Sequence, residues 1–382
     1  MIDLPTQASV TPQGVLRLTS TQGTSADLHP LWLRERNRDP AHYDSGSNQR
    51  LFEPCLLPAD LTVRAASVDS TGGLMVVFSD DCTVSFDGPA LARELGWASD
   101  PLAPPAPTPW TARDVDRTTA SWPTLNDPDA MRDLLDGFLR TGFCILSDVP
   151  RVSGTLLDVA GRFGFVRDTN WGPYFDVQTK PDPSDLAYTG LALSAHSDNP
   201  YRQPVPQIQI LHCLETTVVG GLSTLVDGAS VVARLGEEMP EETKVLEQLP
   251  VCFRYDSHHA VLQDRAPVID RHVDGSLKCL RFSPRLDFVP AYNPATLALF
   301  YRGRRRLFEL AADPEFEIRL KLAPGMLLMM DNLRLLHGRT AFESSQGHRH
   351  LQGCYIDLDG PDSLYRMLAR GDSILGVGRD VA

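Results

Sequence analysis

Two histidines and one aspartate set the strongest constraint on how this chain can fold. His196-Ser197-Asp198 places an imidazole and a carboxylate two residues apart, and His337 follows 139 residues after Asp198, inside Asn332-Leu333-Arg334-Leu335-Leu336-His337-Gly338-Arg339. Residues i and i+2 of an extended strand, or of its end, point the same way, so His196 and Asp198 can reach one ion. His337 joins them only if a distant strand returns to the same place. Two nitrogens and one hard oxygen on one face of a metal make the facial triad that holds non-haem Fe(II) and leaves positions open for chemistry. Taken alone, His-x-Asp is also a common hydrogen-bonded pair at a strand end.

Twelve residues past His337 stands Arg349, in His348-Arg349-His350-Leu351-Gln352-Gly353-Cys354-Tyr355, a run that reads as a strand. A guanidinium grips a remote carboxylate through two parallel hydrogen bonds, so the triad with this arginine points to a dicarboxylate cosubstrate. On these residues the chain resembles the γ-butyrobetaine hydroxylase-like branch of the Fe(II)- and 2-oxoglutarate-dependent oxygenases. Ala187-Tyr188-Thr189, His196-Ser197-Asp198 and Gln209-Ile210-Leu211-His212-Cys213 leading into Gly220-Gly221 carry the resemblance. It continues through Val226-Asp227-Gly228, Asp331-Asn332, Leu335-Leu336-His337-Gly338-Arg339 and Arg349-His350-Leu351, and so spans essentially the whole chain. It implies that His196, Asp198 and His337 bind Fe(II) as the catalytic centre, that Arg349 holds the distal carboxylate of 2-oxoglutarate, that Ser223 lies near that carboxylate, and that O2 is consumed.

The chain has 382 residues, enough for two or three domains, and a formal net charge of −13 with a pI near 5.2. That balance argues against nucleic acid or an anionic membrane surface as the main partner and leaves a small molecule as the expected ligand. No apolar run reaches the roughly 18 residues of a membrane span, and Met1-Ile2-Asp3-Leu4-Pro5 lacks the features of a signal peptide. Seven scattered cysteines, with no Cys-x-x-Cys pair, read as free thiols in a reducing compartment. A cytoplasmic protein is expected, and a homodimer is the default for the branch.

Along the chain, residues 1–100 read as a small β-rich domain, with strands such as Leu16-Arg17-Leu18 and Leu74 to Phe78 and a helical pattern near Pro89 to Leu95. Residues 101–123, rich in proline, read as a linker. Residues 124–382 carry every motif named above. They open on a helical pattern from Asp127 to Thr141 and are otherwise mainly β, which predicts a double-stranded β-helix (jelly-roll) catalytic domain with flanking helices. Residues 293–312 read as a helical insert with Leu297, Phe300, Leu307 and Leu310 on one face and Arg302, Arg304, Arg305 and Arg306 on a solvated one.

Relatives of this branch carry zinc in the N-terminal domain, held by cysteines after a Trp-Leu-Arg motif and by a later histidine. Here Trp32-Leu33-Arg34 is followed by Asn37, Asp39 and His42 in place of those cysteines, and Cys82 falls about where the histidine would be. Structural zinc wants four soft or borderline ligands, so no structural zinc is expected, and Asn37, Asp39 and His42 read as loop or turn residues.

Substrate choice is read from aromatic residues. By resemblance, Trp171, Phe175, Tyr188 and Tyr355 fall where the branch builds a cage around a trimethylammonium group, which can be held only by cation–π attraction and fit. Each alone could be core, but Asn170-Trp171-Gly172-Pro173-Tyr174-Phe175 reads more like a lid than a packed strand. For the anionic end the chain offers Asn199 and Ser283-Pro284-Arg285 where carnitine-forming enzymes use asparagines. A hydroxyl, an amide and a full positive charge suit a phosphonate dianion, although Arg285 could instead pair with Asp287 or sit at the surface. The expected activity is therefore hydroxylation of a small quaternary ammonium compound, 2-(trimethylammonio)ethylphosphonate at carbon 1, with release of succinate and CO2. Alternatives are γ-butyrobetaine hydroxylation to carnitine, a non-catalytic binding protein on the same fold, and a cupin-like protein in which Arg349 pairs with a protein carboxylate.

Overall fold

The computed structural model describes residues 3–178, 189–343, 345 and 347–372. Met1–Ala103 and Pro104–Ala382 form two compact units.

In the first unit, period-two alternation builds two antiparallel three-stranded meanders, Pro5–Val10, Leu16–Ser20, Ser25–Leu28 and Val63–Val68, Leu74–Phe78, Thr83–Phe86. Leu16 and Leu18, and likewise Leu74, Val76 and Phe78, turn inward while Arg17 and Met75 face water. These side chains share one core with Leu33 and Leu91 from the short helices Pro30–Arg34 and Gly88–Glu94. Asp87 caps the second helix by accepting from Ala90 N–H at 2.9 Å. In the loop after Trp32-Leu33-Arg34, Asn37 accepts from Asp39 N–H and Asp39 from Ala41 N–H, both at 2.9 Å, which are Asx turns. The buried Asn37 amide also donates to Cys82 Sγ at 3.6 Å, and His42 packs edge-on to Phe52 at 5.7 Å.

The second unit is mainly β. A six-stranded sheet runs Phe175–Gln178, Arg349–Ile356, Ile208–Thr216, Leu327–Asp331, Phe143–Ser147, Thr119–Ser121, and a four-stranded sheet runs Leu193–His196, Leu335–Arg339, Ser223–Asp227, Glu317–Leu320. Leu327-Leu328-Met329-Met330 is apolar without a break because both of its faces are covered. Leu328 and Met330 join Phe143, Leu351, Leu225, Ile318 and Leu335 in an apolar layer drawn from both sheets. Leu327 and Met329 face the other way, against Phe138, Phe163 and Leu364 of the helices Pro128–Thr141, Thr155–Phe163 and Asp359–Arg370.

Residues 101–123 are only partly a linker, because from Pro104 they belong to the second unit. Trp110 is buried there, donating its backbone N–H to Asp227 Oδ2 at 2.9 Å and its indole N–H to Thr141 O at 2.7 Å. Thr119–Ser121 pairs in parallel with the strand Phe143–Ser147. Proline content signals stiffness, but it does not outweigh a large aromatic and a free sheet edge.

Between the strands Ser223–Asp227 and Glu317–Leu320 the chain inserts the helices Gly228–Glu238, Pro240–Gln248 and Pro294–Ala311 and the hairpin Val251–Asp256, Val261–Ala266. Phe300, Leu307 and Leu310 are buried as expected. The arginine face, however, is largely paired: Arg302 with Glu242, Arg304 with Asp287 and Arg306 with Glu238, at 2.7, 2.6 and 2.7 Å. The acids come from neighbouring elements, which a reading of one helix alone leaves out. Among the described residues, no helix is long and apolar enough to cross a membrane.

Candidate active site

Antiparallel pairing of Leu193–His196 with Leu335–Arg339 sets His196 directly opposite His337. Their ring centroids are 4.5 Å apart. Asp198 lies just past the strand end, and its Oδ1 is 3.4 Å from His196 Nε2 and 3.6 Å from His337 Nε2. Among the described residues, these three form the one group of three or more His, Cys, Asp or Glu side chains close enough to share a metal ion, with ligand atoms within 4.8 Å of one another.

The surroundings aim these atoms. Asn332 accepts from Asp198 N–H at 2.7 Å and donates its amide to Asp198 O at 3.0 Å and Pro206 O at 2.8 Å. Ser197 exchanges hydrogen bonds with the Phe282 backbone, both at 2.9 Å. Asp198 Oδ2 accepts from the Gln209 amide and, at 2.8 Å, from the Tyr355 hydroxyl, which leaves Oδ1 for the imidazoles. His196 Nδ1 lies 2.9 Å from Ser194 O, an acceptor that fixes the proton there and leaves Nε2 as the ligand atom. Burial works to raise the Asp198 carboxyl, but His337, His196 and the Tyr355 hydroxyl hold it well below the usual carboxylate range. Burial also pushes the His337 imidazole down to about 4, with His196 and Arg285 adding to the fall and Asp198 opposing it. A neutral His337 beside an ionised Asp198 is what a divalent cation requires, and two imidazoles with one carboxylate are a donor set that fits iron.

Beside the cluster lies a cavity of about 120 Å³. Of the residues expected at the substrate, Trp171, Phe175, Tyr355, Asn199 and Ser283 line it. Phe175 packs 5.5 Å from Tyr355 and 6.3 Å from Trp171, centroid to centroid. Gly353 makes room for this, because a Cβ there would lie 2.6 Å from the Phe175 ring. Tyr188 lies outside the described residues. Arg285 is exposed and does not line the cavity, and the Asp287 considered as its partner pairs with Arg304 instead.

Arg349 and Ser223 do not line the cavity either. Period-two alternation puts Arg349 on the Tyr355 face of its strand, and Ser223 lies buried opposite Arg339 in register. Among the described residues, no carboxylate forms an ion pair with Arg349, whose guanidinium is pushed down by burial. Arg339, two residues from His337, donates to Thr189 O at 2.6 Å and Leu191 O at 2.8 Å. It is pushed down to about 10 by burial and by Arg349. Two neighbouring guanidinia, Arg339 buried and Arg349 half-buried, make a natural anion site.

Sequence reading gave no role to Tyr201 and Tyr255, which also line the cavity, or to Gln209 and Asn332, which hold Asp198. Alternation along Val251–Asp256 puts Tyr255 on the face of the buried Val251 and Phe253, a signal that was available. Tyr201 offers only its closeness to Asp198.

A family model, that of the taurine catabolism dioxygenase TauD, TfdA family, matches residues 99–355. The chain belongs to that family. It is a dioxygenase of the iron- and 2-oxoglutarate-dependent kind, and its His-Asp-His cluster has the composition such a metal needs. Among relatives, gamma-butyrobetaine dioxygenase of Pseudomonas sp. (strain AK-1) is 30% identical over 353 residues, covering 90% of each chain. Trimethyllysine dioxygenase of Meyerozyma guilliermondii is 26% identical, covering 94% of this chain and 92% of that one. Among solved structures, the PvcB protein from Pseudomonas aeruginosa matches with a TM-score of 0.47 at 19% identity, covering 69% of this chain and 94% of that one.

Proposed function

We propose that this dioxygenase hydroxylates a small quaternary ammonium compound that carries an anionic end. The observation that carries this reading is the aromatic cavity, with Trp171, Phe175 and Tyr355 on its wall and His196 and Asp198 at its lining. A trimethylammonium group has no donor to offer, so a wall of π-faces is what can recognise it, at roughly 0.5–2 kcal/mol per contact. The relatives named for γ-butyrobetaine and trimethyllysine dioxygenation act on compounds of that kind.

In this reading His196, Asp198 and His337 hold the iron and Arg349 grips the distal carboxylate of 2-oxoglutarate, with Ser223 nearby. The two sheets with these residues between them form the double-stranded β-helix. Iron and 2-oxoglutarate, when bound, supply the oxidising power that couples release of succinate and CO2 to insertion of one oxygen atom of O2 into a C–H bond. The protein's own work is positional: gripping both ends of the substrate fixes which carbon faces the metal, and the aromatic wall keeps water out. Seven free thiols suit a reducing, cytoplasmic setting.

The narrower proposal is that the anionic end is a phosphonate, as in 2-(trimethylammonio)ethylphosphonate, hydroxylated at carbon 1. Asn199 and Ser283 supply neutral polar groups in the cavity, and Arg285, which is exposed and outside its lining, would add a charge that no carboxylate among the described residues pairs. The second reading is γ-butyrobetaine, favoured by the 30% identical relative.

Succinate formation separates these readings. The phosphonate should exceed γ-butyrobetaine in kcat/KM by about tenfold or more, since one added charge-assisted hydrogen bond contributes about 1.5–3 kcal/mol. Arg285→Ala should erase that margin. A preference for γ-butyrobetaine untouched by Arg285→Ala selects the second reading, and equal rates with the primary-amine analogue remove the cage. Arg349→Ala should raise the KM for 2-oxoglutarate far more than that for substrate, by an amount equivalent to about 2–5 kcal/mol. A change confined to substrate KM would mean that Arg349 holds a different anion.

A further inference from the structure

Phe175 reaches the cavity from a weakly supported strand. Phe175–Gln178 is four residues long and lies at the edge of the six-stranded sheet, paired on one side only, with Arg349–Ile356. Phe175 and Val177 line the cavity, and alternation sends Asp176 to the opposite face of the sheet. Register puts Phe175 over Gly353 and Asp176 directly opposite Gln352. A short edge strand has no partner along one side of its backbone, so cross-strand side-chain contacts weigh heavily in holding its place.

Gln352 supplies such a contact. It is 1% exposed, and fixed partners settle which way its amide faces: Oε1 accepts from Gly154 N–H at 2.9 Å, which turns Nε2 to the Ser153 hydroxyl and to Asp176 Oδ1, both at 2.9 Å. Both Nε2 hydrogens are spent, each in a bond of ordinary length. One end of the amide is thus anchored to Gly154, the residue that starts the helix Thr155–Phe163, and the other holds a carboxylate of the cavity strand. His350 Nε2, 2.7 Å from the same Oδ1, adds a second hold from a half-exposed side chain. Gln352 itself does not line the cavity. It sits on the face of its strand opposite to that of Arg349, Gly353 and Tyr355.

We propose that Gln352 is a positioning residue for substrate recognition: by holding Asp176 on the outer face of the sheet, it fixes where Phe175 and Val177 stand in the cavity, and so the fit of the aromatic wall around a trimethylammonium group. This role rests on the functional reading above. It separates the two ends of one strand, because Arg349, three residues from Gln352 and on the other face, is reached by none of these bonds.

The test is calorimetric binding to the iron-loaded protein under nitrogen, of 2-oxoglutarate first and then of propyltrimethylammonium and γ-butyrobetaine to the 2-oxoglutarate complex. Gln352→Leu keeps much of the volume and removes the amide. It should weaken both trimethylammonium ligands by about tenfold, as for losing one hydrogen bond to a charged group, and change 2-oxoglutarate affinity by less than about twofold. In an Asp176→Ala background the ligand effect of Gln352→Leu should vanish, while its cost in melting temperature, which comes from Ser153 and Gly154 as well, should remain. Should Gln352→Leu not fold, Asp176→Ala at the half-exposed edge should show the same split between ligands, and Asp176→Asn, which keeps Oδ1, should bind like the parent. A lower melting temperature with unchanged ligand affinity, equal weakening of 2-oxoglutarate, or an undiminished ligand effect in the Asp176→Ala background overturns the inference and leaves the functional reading standing. Failure of the parent protein to bind either trimethylammonium ligand overturns both.

Discussion

His196→Ala is expected to abolish turnover and to weaken divalent-metal binding by well over about 100-fold, more than the 10- to 100-fold typical of losing a residue that merely orients a ligand. His196 supplies one of three donor atoms that lie within 4.8 Å of one another. Its Nδ1 is engaged by Ser194 O at 2.9 Å, which aims Nε2 at the site, and among the described residues no fourth His, Cys, Asp or Glu belongs to the cluster to take its place. Asp198 is equally fixed, with Gln209 and Tyr355 on Oδ2 and Asn332 on its backbone. The loss should therefore be local: Mn(II) titration by calorimetry should show the weakened site while the circular dichroism spectrum and melting temperature stay near those of the parent. Retained metal affinity together with retained succinate formation would remove His196 from the centre.

The His196, Asp198 and His337 cluster is legible in sequence because ligand type, spacing and order are local properties, and strand pairing then has few ways to bring the two histidines together. The aromatic wall of the cavity is half legible. Trp171, Phe175 and Tyr355 stand in segments whose composition marks them, and they do line the cavity, whereas Tyr201 and Tyr255 meet only through tertiary packing of the hairpin Val251–Asp256, Val261–Ala266. The same limit explains the arginines of Pro294–Ala311, whose partners Glu242, Asp287 and Glu238 lie on other elements. The proline-rich stretch misled for a related reason. Proline frequency is a property of the segment, but Trp110 is held by groups more than thirty positions away, at Thr141 and Asp227.

Asp227 carries the second large expectation, and it concerns stability. Sequence reading noticed Val226-Asp227-Gly228 as a motif and gave it no role. The carboxylate is 0% exposed and makes a two-pronged pair with Arg334, Nε to Oδ1 and Nη2 to Oδ2, both at 2.9 Å. Arg334 also donates to Arg140 O and Thr108 O at 2.7 Å each, while Asp227 accepts from Trp110 N–H and caps the helix Gly228–Glu238 through Ala229 N–H at 3.1 Å. One ion pair thus ties together the strand Ser223–Asp227, Arg334 three residues before His337 and just ahead of the neighbouring strand Leu335–Arg339, a helix start and the segment 108–110. Exchanging such a pair for apolar residues can be neutral, but deleting one partner leaves a buried charge with nothing to answer it, at about 3–5 kcal/mol. Asp227→Ala should therefore lower the melting temperature by on the order of 10 °C, as followed by thermal circular dichroism. Well below that lowered transition, the KM for 2-oxoglutarate should change little, because among the described residues Asp227 bonds to Trp110, Ala229, Ser230 and Arg334 and to none of the groups that hold the His-Asp-His cluster. A melting temperature within a degree of the parent, combined with a large fall in kcat, would make Asp227 part of the chemistry and not of the frame that holds it.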